Sequence, residues 1–264
     1  MGALHIAAGR QGGLSIRSSG PISRFAIEIA VQLHSQAVPM TPQAAEVLKT
    51  LQSKLRPAAV AQVGGFRPPD DPVTSWFFRA VALPDEPLPE WRGEPMFPLL
   101  QVRVRDLPVV PQQLEGIELL VLFQNRHEHP FDRPHGEGWL IREYASLDGL
   151  APVEADTGRF RPFPVRWSRV ENDAPGWEDA WDVVDLNPVN EDEEASAVFF
   201  DSFSRYGGTK FGGYPSAIQH GVGLKDYVFQ VASEEKVGWM WGDNGRGYFF
   251  RSPSGVWSWS CQFY

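Results

Sequence analysis

Apolar and polar positions alternate along much of this chain, and the alternation predicts strands. Residues 75–83, 97–104, 117–124 and 138–145 make one series of short apolar or alternating runs. Residues 197–203, 227–232, 238–241, 247–251 and 256–263 make a second. Earlier, Phe25, Ile27, Ile29, Val31 and Leu33 alternate with small or polar residues and predict a strand, although Ile22, Phe25, Ile29 and Leu33 also fit a helix face. One stretch has the helical period. Thr41 caps it, Pro42 takes the first helical position, and Ala44, Leu48, Leu51 and Leu55 form one stripe before Pro57 ends it. Residues 146–190 read as turns with isolated aromatics such as Trp167, Trp177 and Trp181.

The two series rhyme. The first holds Gly64-Gly65-Phe66, then Leu100-Gln101-Val102, then the run Leu119 to Phe123; the second holds Gly212-Gly213-Tyr214, then Phe229-Gln230-Val231, then Tyr248-Phe249-Phe250. Two copies are too few for a solenoid, so a duplicated β-unit packed on itself is expected. The fold class read from this is α+β and β-rich: a single compact domain with two pseudo-repeated β-units and a few helices. Residues 1–20 are a loose leader and 21–264 the domain, with repeat halves at roughly 57–145 and 205–264 and an acidic insert at 170–204.

Composition agrees with this picture. The chain's 25 Gly and 23 Pro suit many short strands joined by turns. The single Cys261 excludes an internal disulfide and points to a reducing compartment, so the cytoplasm is expected. No apolar run approaches the roughly 18 residues of a spanning helix, and the first residues lack a signal-peptide centre, so no membrane partner is expected.

Charge is unevenly spread. Between Val170 and Ser204 there is no Lys or Arg, while Glu171, Asp173, Glu178, Asp179, Asp182, Asp185, Glu191, Asp192, Glu193, Glu194 and Asp201 supply more negative charge than the chain's net −9. A solvated acidic loop explains such a run; so does a docking surface for a basic protein. Nucleic acid, which needs a basic footprint, is not an expected partner.

Three of the six histidines fall in one loop, His127-x-His129 followed by Asp132 and His135. Two imidazoles at a strand end, completed by Asp132 or His135, match a zinc-type ligand set; a polar loop punctuated by Pro130 and Pro134 is the plainer account. Asp243-Asn244-Gly245 between aromatic-rich runs is hairpin chemistry, with Trp241 a core aromatic. Trp257, Trp259, Cys261 and Phe263 share one face of a strand, which makes Cys261 an inert buried thiol. Gly-x-Ser-x-Gly, Walker and dinucleotide patterns are absent, so no catalytic residue and no cofactor is expected.

Lys210-Phe211-Gly212-Gly213-Tyr214-Pro215 with Ile218-Gln219, and Trp239-Met240-Trp241-Gly242-Asp243-Asn244-Gly245 running to Cys261-Gln262, resemble the YwqG-like family, a bacterial domain of unknown function. Leu100-Gln101-Val102, Leu107-Pro108 and Leu119 to Phe123 are similar to its N-terminal block; the likeness spans about Gly64 to Tyr264. It implies a compact, sheet-dominated domain without an assigned reaction, and members near toxin genes are suspected immunity proteins. The expected function is therefore a non-enzymatic protein-binding domain that neutralises a cognate toxin. The alternatives are a metal-dependent hydrolase using His127, His129, Asp132 and His135, or a housekeeping protein.

Overall fold

The computed structural model describes residues 5–8, 14–17, 39–131 and 133–264. Strands β1 (His5–Ala8) and β2 (Leu14–Arg17), inside the leader, pair with each other; the strand expected at 25–33 lies outside the described residues. Helix α1 (Pro42–Gln52) leads into β3 (Arg56–Val63), β4 (Trp76–Phe77) and β5 (Ala80–Ala82). A small hairpin of β6 (Glu90–Trp91) and β7 (Glu94–Pro95) precedes β8 (Phe97–Arg103), β9 (Leu119–Gln124) and β10 (Trp139–Tyr144). After β11 (Ala151–Val153) and β12 (Phe163–Asp173) come α2 (Trp177–Ala180), α3 (Asn187–Asn190) and α4 (Glu193–Ser202). Strands β13 (Lys210–Gly212), β14 (Tyr227–Ala232), β15 (Arg246–Arg251) and β16 (Trp257–Gln262) follow.

Ten strands form one antiparallel sheet in the order β10-β9-β8-β4-β12-β3-β13-β14-β15-β16. It curls until its two edges nearly meet. Trp139 of β10 lies 5.9 Å from Trp259 of β16, with no backbone ladder between these strands among the described residues. Inside the curl an aromatic ladder crosses the strands. Phe211, Phe229 and Phe249 occupy facing register positions and stack at 4.6 and 4.5 Å, and Trp259 continues the row at 6.0 Å. Each such pair contributes roughly 0.5–1.5 kcal/mol beyond its buried area. On the other side of β3, Trp167 faces Ala61 and meets Phe211 edge-on at 5.2 Å. Ala59 and Ala61 leave the room for that crossing. This is why β3, central and buried, is alanine-rich rather than β-branched.

Two glutamines brace the sheet from opposite halves. Gln101 on β8 is wholly buried; its Oε1 accepts from the Val81 N–H and its Nε2 donates to the Pro72 and Thr74 carbonyls. Gln230 on β14, equally buried, accepts from the Ser216 N–H and donates to the Gly208 carbonyl. Gln101 faces Trp76 of β4, and Gln230 faces Lys210 of β13.

A second apolar cluster holds the helices together, with Ala44, Leu48 and Leu51 of α1 against Ala180, Val189, Ala195 and Phe199. Thr41 caps α1 by accepting from the Ala44 N–H, as its sequence predicts. The Thr41 N–H in turn donates to Asp192, the N-cap of α4, at 2.7 Å, so one side chain fastens two helix starts.

Three expected strands are corrected. Residues 197–203 are the end of α4 and its cap, because the Asp192 cap and the four-residue spacing of Ala195, Phe199 and Phe203 favour a helix that buries those three. Residues 238–241 make only a single bridge, Glu234 to Trp239, since Gly238 (φ 75°) and Gly242 (φ 51°) turn the chain. Residues 75–83 are broken into β4 and β5 by Phe78, whose φ is 57°.

Candidate functional site

From Glu178 on, the acidic stretch builds the outer surface of the helical layer, Asp179 excepted, while Glu171 and Asp173 lie on β12. Asp173 is buried inside: its carboxylate accepts from the Lys210 ammonium at 2.6 Å and from the Tyr206 and Tyr214 N–H groups at 3.0 and 2.8 Å. Asp179 is buried too, accepting from the Val222 and Gly223 N–H groups, and burial raises its carboxyl above the usual range. Asp173 ties the end of β12 to β13 and the segments flanking it, Asp179 ties α2 to the loop before β14, and neither forms part of an exposed face. The other candidates stay outside. Glu171, Glu178, Asp182, Asp185, Glu191, Glu193 and Glu194 are exposed and Asp192 is half-buried. Glu171 pairs with Arg169, Asp185 turns back onto Asn187 and Asp192 caps two helices, leaving Glu178, Asp182, Glu191, Glu193 and Glu194 to solvent.

Among these acids stand two apolar side chains the sequence did not single out as a pair. Trp181 is 39% exposed and Phe200 53%. Both touch Trp177, Phe200 stacking on it at 5.3 Å and Trp181 meeting it edge-on at 6.1 Å. The Arg205 guanidinium lies over Phe199 and Phe200 and marks the border of the acidic run. An aromatic ridge ringed by carboxylates is the composition of a protein contact surface.

Lys210, central to the family-like motif, is as buried as Asp173 and also donates to Ser216 Oγ at 3.2 Å. Burial pushes its ammonium below the ordinary lysine range, and Asp173 opposes that shift. Gly213 is required here. Its φ is 64°, and a Cβ would come within 2.3 Å of the Asp173 carboxylate.

Among the described residues, the histidines of this loop make contacts of their own and do not converge. His135 Nε2 lies 2.8 Å from the Ile141 N–H, which it accepts, while its ring stands edge-on to Trp139. His129 packs between Trp239 and Trp241 at 5.7 and 5.3 Å, and its Nε2 faces the Gly242 N–H. Burial lowers both imidazoles below their ordinary pKa. His127 points to solvent, Asp132 lies outside the described residues, and no group of three metal-type ligands converges among those described. Aromatic neighbours pack against both rings, and a backbone amide meets Nε2 of each.

Beside this loop a cleft of about 230 Å³ opens between Phe97, Phe160, Trp239 and the side chains of Arg126, His129 and Arg159. Asn125 shapes its rim by accepting from the His127 and Glu128 N–H groups. No sequence signal marked Phe160 or Arg159, which come from a turn-rich stretch far from Trp239 along the chain.

Trp241 is fully buried as expected, and Asn244 takes the left-handed conformation (φ 51°) its turn requires. A comparison with curated proteins finds no match. The family described as a domain of unknown function, DUF1963, matches residues 83–256, from the end of β5 to the start of β16. That match covers well over half of the chain and takes in Lys210, the three stacked phenylalanines of the ladder and the cleft residues, so the protein belongs to the DUF1963 family.

Proposed function

We propose that the chain is a non-enzymatic protein-binding domain that docks a basic partner on the outer face of its helical layer. The observation that carries this is the ridge of Trp181 and Phe200, exposed on a stretch that contains no Lys or Arg from 171 to 204. The aromatics supply buried area, and the surrounding carboxylates supply steering and selection for positive charge. The YwqG-like resemblance narrows the partner to a bacterial toxin and makes the chain a candidate immunity protein acting in the cytoplasm, where the lone Cys261 stays reduced. The matched bracing by Gln101 and Gln230 supports reading the sheet as two related β-units that serve as scaffold.

The experiment is affinity capture from the source cell with the wild-type chain and with the double variant Trp181→Ser/Phe200→Ser. The expected result is a cationic protein held at low salt, released at high salt and lost with the variant. An identified partner bound equally by both chains, or bound without salt dependence, overturns the reading.

A further inference from the structure

The cleft beside the histidine loop lies away from the helical face and has the build of a ligand site. Its floor is three aromatic rings in mutual contact: Phe97 to Trp239 at 5.9 Å, Phe160 to Trp239 at 5.8 Å and Phe97 to Phe160 at 5.9 Å. Beneath them Phe78 stacks on Phe160 at 4.5 Å with the planes 12° apart. Phe78 reaches that position from a backbone at φ 57°. Glycine would take this conformation freely, as Gly212 does at φ 68° at the end of β13. A bulky residue in the left-handed region is a strained exception, and such strain concentrates at binding sites. Here the strain holds a ring under the cleft floor.

The cleft is also locally positive in a chain of net charge −9. Its one lining carboxylate, Glu128, is neutralised by Arg133 at 2.8 Å and Arg92 at 3.7 Å. Arg126 is paired with Asp156. Arg159 has no carboxylate within ion-pair distance among the described residues, and its guanidinium lies over the Phe160 ring at 5.3 Å. An uncompensated guanidinium above an aromatic floor selects for a flat molecule that carries negative charge, stacked on the rings and paired at one end. The volume falls below the roughly 300–1,000 Å³ of drug-sized sites and is too small for a folded peptide segment.

We propose that this cleft binds a small planar anion, an aromatic or conjugated carboxylate, with Phe97 and Trp239 packing against its ring and Arg159, held over Phe160, taking its charge. The test uses benzoate as probe and benzamide as its neutral isostere, followed through the indole N–H resonance of Trp239 in two-dimensional NMR, assigned with Trp239→Phe. Benzoate is expected to shift that signal saturably and leave the distant Trp181 indole unmoved. Binding is expected to weaken about fivefold to tenfold in Arg159→Gln and to persist in Arg159→Lys. No saturable shift, an equal response to benzamide, or full binding by Arg159→Gln overturns the proposal.

Discussion

Glu143 on β10 and Arg251 on β15 form a two-pronged pair, with Nε and Nη2 of the guanidinium donating to the two carboxylate oxygens at 2.7 and 2.9 Å. Glu143 also accepts the Trp257 indole N–H at 2.6 Å, and Arg251 also donates to the Gln113 carbonyl at 3.0 Å. Both side chains are largely shielded, about a quarter exposed. The pair therefore ties the two ends of the sheet together by side chains where, among the described residues, no backbone ladder does.

Glu143→Gln keeps the shape and removes the charge. Charge-assisted hydrogen bonds contribute about 1.5–3 kcal/mol, so urea unfolding should show a loss in that range. A loss under about 0.5 kcal/mol would mean that the Trp139 to Trp259 contact alone holds the edges together.

The pair of Asp173 and Lys210 predicts an asymmetry between its two deletions. Asp173→Asn leaves a buried ammonium without a counter-charge and turns an NH2 group toward N–H donors, and breaking a buried pair in this way costs about 3–5 kcal/mol. Lys210→Met leaves a carboxylate that still accepts two backbone N–H groups, from Tyr206 and Tyr214. Its cost should be smaller. Chemical denaturation of both variants checks the order, and a reversed order would show that the lysine, not the carboxylate, anchors the network.

How much of this was legible in the sequence depends on the reach of each interaction. The strands β8, β9, β10 and β14 to β16 were readable because each is a short apolar run with a pleat of its own. Strand β12 carried its signal too, Val165 and Trp167 inward against Arg166 and Ser168 outward, but prolines and turns around it masked the alternation. Strand β3 was hidden for a physical reason: its alanines are small to admit Trp167, a residue more than a hundred positions away. The acidic face was visible as charge, yet nothing local marks Asp173 as buried, since its partner Lys210 is 37 positions on. The cleft was invisible for the same reason, being assembled from four separate stretches.

His129 and His135 give the protein an acid limit. Burial holds both imidazoles below their ordinary pKa of 6.5, so below that pH the unfolded chain binds protons that the folded one refuses. Stability contributed by the neutral rings is thus complete above pH 6.5 and is lost as pH falls through the window below it, by up to about 1.4 kcal/mol per pH unit for each histidine. Thermal or urea unfolding between pH 7 and pH 5 should show this fall. His135→Gln, which can still accept the Ile141 N–H, should flatten the slope by one proton; an unchanged slope would assign the acid limit to carboxylates instead.

Cys261 should be nearly unreactive in the native protein. It sits on β16 opposite Gly247, packed against the core, and burial pushes its thiol up to about 12. Only the thiolate attacks a disulfide reagent, so at neutral pH the reactive fraction is smaller than that of a free cysteine by about three powers of ten. Modification then has to proceed through opening of the edge strand, and its rate reports that opening rather than thiol chemistry. The reaction with an aromatic disulfide reagent should be slow in buffer, rise steeply with sub-denaturing urea, and speed up in Glu143→Gln, which keeps an amide oxygen for Trp257 but loses the charge that grips Arg251 and strengthens the indole bond. A rate in buffer that matches a free thiol, or one indifferent to Glu143→Gln, would show that β16 is open without the clamp and that the side-chain closure of the sheet is not what protects it.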